Sequence, residues 1–277
     1  MTLLIALASG FVVGISLGLT GSGGSLFAIP LLLLIVGLEM SDAVPVSMLV
    51  VGMTALVGAI SAFRKKLLLT RPTLIFGISG MLAAPVGLML GEIVPENSRI
   101  FGFSLLAIVI ALRMAWQSFT PENSRVVRAG LELDDPQGIC RYSPDGQMRF
   151  SVPCAIAITI SGAIVGILSG FFGVGGGFLI VPVLMYVIRM NMQFAVGSSL
   201  AIIAMIGLSG GVVAGISVLV SQTPALLFGG GSLLGMLSGR SISGKLAGPR
   251  LQQIFAAALL ITGVVMIFQL LSSSHVL

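Results

Sequence analysis

Gly18-Leu-Thr-Gly-Ser-Gly-Gly-Ser-Leu-Phe-Ala-Ile-Pro30 is a block of 13 residues that returns 152 positions later as Gly170-Phe-Phe-Gly-Val-Gly-Gly-Gly-Phe-Leu-Ile-Val-Pro182. Each copy is a glycine cluster running into a short apolar stretch, and both lie inside segments greasy enough to enter a bilayer. Glycine does not continue a helix cheaply, and lipid cannot satisfy the backbone groups freed where a helix stops. A helix break duplicated at membrane depth points to a transporter's binding site.

The rest of the composition agrees. The chain is 56% hydrophobic and 8% charged, with a mean hydropathy of +1.14, whereas soluble domains carry about 25% charged residues. An integral membrane protein is expected. The net charge of +5 reflects basic residues scattered through short loops, which topology explains better than nucleic-acid binding. Cys140 and Cys154 have no metal-ligand spacing and are expected as free thiols. Met1–Gly18 has no basic leader and matches the start of the later repeat, so it is read as a retained first helix.

The repeat extends beyond the glycine block, pairing Pro72 with Pro224, Phe76 with Phe228, Gly77 with Gly229 and Gly87 with Gly239. Each half holds five apolar segments: 2–18, 26–38, 42–63, 71–91 and 98–118, then 152–170, 178–190, 194–221, 224–241 and 251–272. The second of each set is too short to span; thirteen residues rise about 20 Å against a hydrocarbon core of roughly 30 Å. Segments one and two therefore read as a helical hairpin bent at the glycines. The expected organisation is a first membrane repeat over 1–118, a cytoplasmic connecting loop or small surface element over 119–150, and a second repeat over 151–277.

Charge sets the expected orientation. Arg64, Lys65, Lys66 and Arg71 place the loop between segments three and four in the cytoplasm. Alternation then puts both termini, Glu39, Asp42, Glu92 and Glu96 outside, and the central loop inside. Of 14 basic residues only Arg99 falls on the outer side. Equivalent loops of the two halves carry opposite signatures, as two inverted five-helix repeats require. The fold class expected is an all-α membrane protein of about ten spanning or half-spanning helices.

On the paired glycine signatures ending in Pro30 and Pro182, the Ala195-Val-Gly-Ser-Ser-Leu200 stretch and the Gly235–Gly239 region, the chain resembles the sulfite exporter TauE/SafE (TSUP) family of membrane permeases. The resemblance covers both halves; the first has drifted, with Val44-Pro-Val-Ser-Met48 where Val196-Gly-Ser-Ser-Leu200 stands. It implies a multi-pass protein of a bacterial inner membrane that moves small sulfur-containing anions such as sulfite or organosulfonates. Uptake of sulfate or thiosulfate by the same fold, or an anion channel, remains an alternative.

Such an anion could be held by backbone N–H groups at the N-termini of the two half-helices, each carrying about half a positive charge. With the glycine clusters expected to meet near the midplane, the candidate binding residues are Thr20, Gly21, Ser22, Gly23, Gly24 and Ser25 from the first cluster and Phe172, Gly173, Gly175, Gly176 and Gly177 from the second. Ser47, Ser198 and Ser199 could add hydroxyls. Arg240, following Gly239, could meet an anion entering from the cytoplasm, although a snorkelling role suits an arginine there. Close helix packing is the competing reading of the glycines, and back-bonding to helix carbonyls that of the serines.

No catalytic, metal or cofactor site is expected. No carboxylate lies within a span, the lone histidine is His275 in the tail, and no Gly-x-x-x-x-Gly-Lys-Ser/Thr phosphate loop occurs. The serine of Gly21-Ser-Gly23 has no base within reach to make it a nucleophile. The expected partners are the anionic solute and membrane lipid, with a homodimer left open and no nucleic acid. Export of an anion from a cell negative inside can draw on the membrane potential alone, worth about 2.3 kcal/mol per charge per 100 mV.

Overall fold

The computed structural model describes residues 2–21, 24–119, 141–142, 148–149, 151–174, 177–188, 192–214, 223–246, 257, 260–261 and 263–268. Nearly all of these are helical. The first half contains α1 (Thr2–Thr20), α2 (Gly24–Leu31), α3 (Met40–Arg64), α4 (Thr70–Ile93) and α5 (Glu96–Phe119). The second contains α6 (Val152–Phe172), α7 (Gly177–Val187), α8 (Met192–Ala214) and α9 (Thr223–Leu246). Helical residues 263–268 fall in the tenth apolar stretch, where Gly263 approaches Ile108 and the Ser104 carbonyl of α5. In the central segment Arg141–Tyr142 pairs antiparallel with Met148–Arg149, a small surface element of the kind expected there.

Among the described residues, four helical stretches are long and apolar enough to cross a membrane: α3, α4, α6 and Phe194–Val212 of α8. Large apolar side chains such as Leu74, Leu82 and Met89 on α4 and Ile156, Ile160 and Ile164 on α6 stand exposed. A water-soluble chain would bury them; lipid makes their exposure costless. α2 is lengthened by a π-helical turn, Leu32–Val36, that begins two residues after Pro30 and is closed by Gly37. Proline removes one ladder donor and crowds the carbonyl four residues earlier, so the ladder reorganises there.

Two tight interfaces pin the first helix of each half. Along α1, Gly10, Gly14 and Gly18 face the backbone of Phe228, Ser232 and Met236 on α9, so closely that β-carbons would overlap those carbonyls. Along α6, Gly162, Gly166 and Gly170 face Phe76, Gly80 and Ala84 on α4 in the same manner. The two sets correspond residue for residue at the repeat offset, and in each the paired helices run parallel. Small residues permit this approach, which dispersion and backbone contact then stabilise.

At the centre α3 and α8 cross antiparallel. Gly52 meets Gly207 and Leu208, while Gly58 lies against Leu200 and Gly210 against Met48. The short spans are joined by bonds between elements: the Met40 N–H at the start of α3 donates to Glu96 Oε1 of α5 at 2.9 Å, so a neighbouring helix supplies the cap that Glu39 does not.

One sequence expectation is corrected here. Cys154, in the first turn of α6, is disulfide-bonded rather than a free thiol; Cys140, the other cysteine of the chain, lies outside the described residues. Absence of metal-ligand spacing pointed to free thiols, but such spacing carries no information about disulfide pairing.

Candidate functional site

α1 ends because Gly21 turns left-handed, with φ of 73°, and its N–H donates to the Leu17 carbonyl at 2.8 Å. α6 ends in the same way: Gly173 has φ of 71° and donates to Ser169 O at 2.8 Å. Only glycine enters this region without strain. Space forbids a side chain as well. A β-carbon on Gly21 would overlap Val196 Cγ1 of α8, and one on Gly173 would stand 2.7 Å from Val44 Cα of α3.

The freed carbonyls are taken up across the halves. Ser199 of α8 donates to Gly21 O at 3.2 Å and to its own helix at Val196 O, 2.9 Å. Ser47 of α3 donates to Gly173 O and to Val44 O, the latter at 2.8 Å. Both serines are fully buried. Each break is thus held by the third helix of the opposite half, and glycine, valine and serine all match their counterparts at the repeat offset. These hydroxyls were expected to donate to a solute; their protons are already committed to main-chain carbonyls.

The two breaks do not meet at the midplane. Val44 and Val196 lie one turn inside the starts of α3 and α8, and these helices are antiparallel, so the breaks sit near opposite ends of the pair. At 1.5 Å per residue the separation along α3 is roughly 20 Å. The expectation of one shared central cavity is therefore corrected, and the reason is length. α1 runs 19 residues before its break, about 28 Å, which nearly crosses the hydrocarbon core. From these ends α2 and α7 turn back into the protein and pack on each other.

The remaining candidates distribute as follows. Gly24 opens α2, wedged against α1 between the Val13 carbonyl and Leu17, and Ser25 after it is fully buried. Gly177 opens α7 and is buried. Thr20 closes α1, with its side chain outside the described residues, as are Ser22, Gly23, Gly175 and Gly176 entirely. Phe172 packs edge-on to Phe171 with centroids 4.8 Å apart and tilts against Phe103 at 6.2 Å, so it fills space beside the second break. Ser198 accepts the Leu69 N–H at 3.4 Å and anchors the start of α4. Arg240 Nη1 donates to Gly58 O at 2.5 Å. Since Gly58 faces Leu200, one residue beyond Ser199, this guanidinium lies level with the first break.

Three polar residues were not singled out as site residues in the sequence. Thr54 and Ser232 share a buried hydrogen bond of 3.0 Å between α3 and α9. Arg99, only 8% exposed, reaches the Phe171 carbonyl at the end of α6 at 3.4 Å, beside the second break. Its signal was that the charge rule left it the one cation expected on the outer side.

The family model described as "Sulfite exporter TauE/SafE" matches residues 6–266. The chain is 34% identical over 208 residues to a probable membrane transporter protein of Xylella fastidiosa strain 9a5c, covering 75% of this chain and 72% of that one. It is 26% identical over 279 residues to the probable membrane transporter protein YunE of Bacillus subtilis strain 168, covering 97% and 98% of the two chains. No solved structure matches. The chain belongs to the sulfite exporter TauE/SafE family and is a membrane transporter.

Proposed function

We propose that this member of the TauE/SafE family exports small sulfur-containing anions, sulfite or an organosulfonate such as sulfoacetate, across the cytoplasmic membrane by alternating access. The observation that carries this reading is the crossed bracing of Gly21 by Ser199 and Gly173 by Ser47. It ties the two helix breaks, one near each end of the central helix pair, to opposite halves of the protein. Any rigid movement of one half against the other must disturb both ends together, which is the coupling alternating access needs.

Two inverted five-helix repeats, residues 1–118 and 151–277 around the 119–150 loop, supply such halves. Helix directions support the inversion. α1 runs parallel to α9 and α6 parallel to α4, while α3 and α8 are antiparallel; short α3–α4 and α8–α9 connections then set α1 against α6. A two-fold axis in the membrane plane relates halves arranged this way.

At each break the solute meets the first turn of a half-helix, α2 at Gly24 or α7 at Gly177. First-turn N–H groups and the positive end of the helix dipole bind an oxyanion there without a buried lysine. Thr20 to Ser25, with Arg240 level beside them, form the inner station. Phe172 to Gly177 form the outer one, and Ser47, Ser198 and Ser199 act from behind by holding the backbone in place. Gly52 and Gly207 bring the backbones of α3 and α8 close together between the two stations, a tight crossing that suits alternating exposure better than a continuous pore.

With both termini outside and the Arg64–Arg71 loop inside, outward movement of an anion runs down the membrane potential, about 2.3 kcal/mol per charge per 100 mV. The disulfide at Cys154 pulls against this orientation, because such bonds persist in oxidising compartments. The charge asymmetry summed over many loops outweighs one bond. A thermal-shift screen in detergent with sulfite, sulfoacetate, taurine, sulfate and a carboxylate tests the solute class. Stabilisation by sulfite or the sulfonates is expected, and stabilisation by the carboxylate alone contradicts it.

A further inference from the structure

Arg99 stands in the first turn of α5 with 8% of its surface exposed. Among the described residues the one hydrogen bond of its side chain is the long contact from Nη2 to Phe171 O, and its Nε is buried without a partner. Five donors on a planar, permanently charged fork are met by a single carbonyl. A buried cation in that condition is strongly destabilising unless something negative joins it. Among the described residues a second buried polar atom has no partner: the hydroxyl of Ser169, in the last turn of α6. Ser169 O is the carbonyl that receives the Gly173 N–H, and Phe171 lies between the two in sequence. Both unsatisfied groups are therefore within one turn of the second break.

We propose that Arg99 and Ser169 form an oxyanion subsite at the outer break. This rests on the anion-transport reading above and assigns its outer station two side chains that the glycine signatures do not contain. A sulfonate or sulfite presents oxygens spaced to take two parallel N–H bonds from one edge of a guanidinium, and lysine lacks that fork. Ser169 supplies a further donor. Glu92 and Glu96 are the carboxylates felt by Arg99, and both are exposed at the rim. They oppose a lingering anion and speed its release. Neither outer group repeats an inner one: Ser169 corresponds to Leu17, and Arg240 corresponds to Leu88. A guanidinium has been placed at each break from unrelated positions.

The test is binding of radiolabelled sulfite and sulfoacetate to purified wild-type, R99K, R99Q, S169A and E96Q proteins, with the unfolding temperature of each measured without ligand. Arg99→Gln is expected to weaken binding about tenfold or more, R99K less, and S169A about threefold. E96Q, whose amide oxygen still accepts the Met40 N–H, is expected to tighten it about threefold. A purely structural arginine would leave the E96Q affinity unmoved. Wild-type protein that binds neither anion overturns the transport reading and the subsite together. Wild-type binding that R99Q retains overturns the subsite alone. Should R99Q not fold, R99K and E96Q both binding as wild type overturn it equally.

Discussion

Ser47 and Ser199 are 152 residues apart in the chain, and each closes a hydrogen bond onto the left-handed glycine that ends the first helix of the other half. A helix end inside a membrane leaves carbonyls that lipid cannot satisfy. The repeat solves this by exchange, each half lending its third helix to the other.

Removing either hydroxyl leaves a buried carbonyl short of a partner. Ser47→Ala and Ser199→Ala are each expected to cost about 1–3 kcal/mol. Because the two sites are far apart, the double variant should show the sum. Unfolding in detergent measures stability, and flux in proteoliposomes should fall in both single variants, since either one loosens the coupling between ends.

Gly21→Ala and Gly173→Ala place a side chain at positive φ and against a neighbour, so each should cost about 2 kcal/mol or more. Rescue should differ between them. At Gly21 the obstruction is the Val196 side chain, so adding Val196→Ala restores part of the loss. At Gly173 the obstruction includes the Val44 backbone, so Val44→Ala restores much less. Unfolding temperatures of the four proteins check this.

Gly14 and Gly166 occupy equivalent places in the α1–α9 and α4–α6 interfaces, against Ser232 and Gly80 respectively. Gly14→Val and Gly166→Val should force those helices apart and lower the yield of folded protein to a similar extent. Alanine at the same positions should do less harm. Size-exclusion chromatography of the detergent-solubilised variants reads the outcome.

Topology is checked by single cysteines placed at 65 and 93 in a Cys140→Ser, Cys154→Ser background. An impermeant maleimide added to intact cells should label position 93, at the end of α4, and spare position 65, just after α3, until the membrane is opened. The reverse pattern would turn the transporter over and make the disulfide periplasmic.

Much of this fold was legible in the chain. Where the helices are described, segment limits drawn from apolar runs agree closely with them, because lipid-facing and buried faces are both apolar and only loops interrupt the pattern. The breaks were legible because glycine has few other uses when duplicated at a fixed offset. Their depth was misjudged: two short second segments suggested a meeting at the midplane, but the first helices are almost full spans. The bracing roles of Ser47 and Ser199 were hidden, since a serine among small residues looks the same whether it bonds a solute, its own helix or a distant carbonyl. Arg99 was visible only as an exception to the charge rule, and its burial depends on α4 and α6 closing over it.

Flux of labelled sulfite or sulfoacetate into proteoliposomes under an imposed potential, with and without a pH gradient, decides whether the potential alone drives export. Saturable movement toward the positive side is expected, unchanged by collapsing the pH gradient and reduced in Ser47→Ala and Ser199→Ala alike. Strict dependence on the proton gradient, or no flux of any sulfur oxyanion through folded protein, would contradict it.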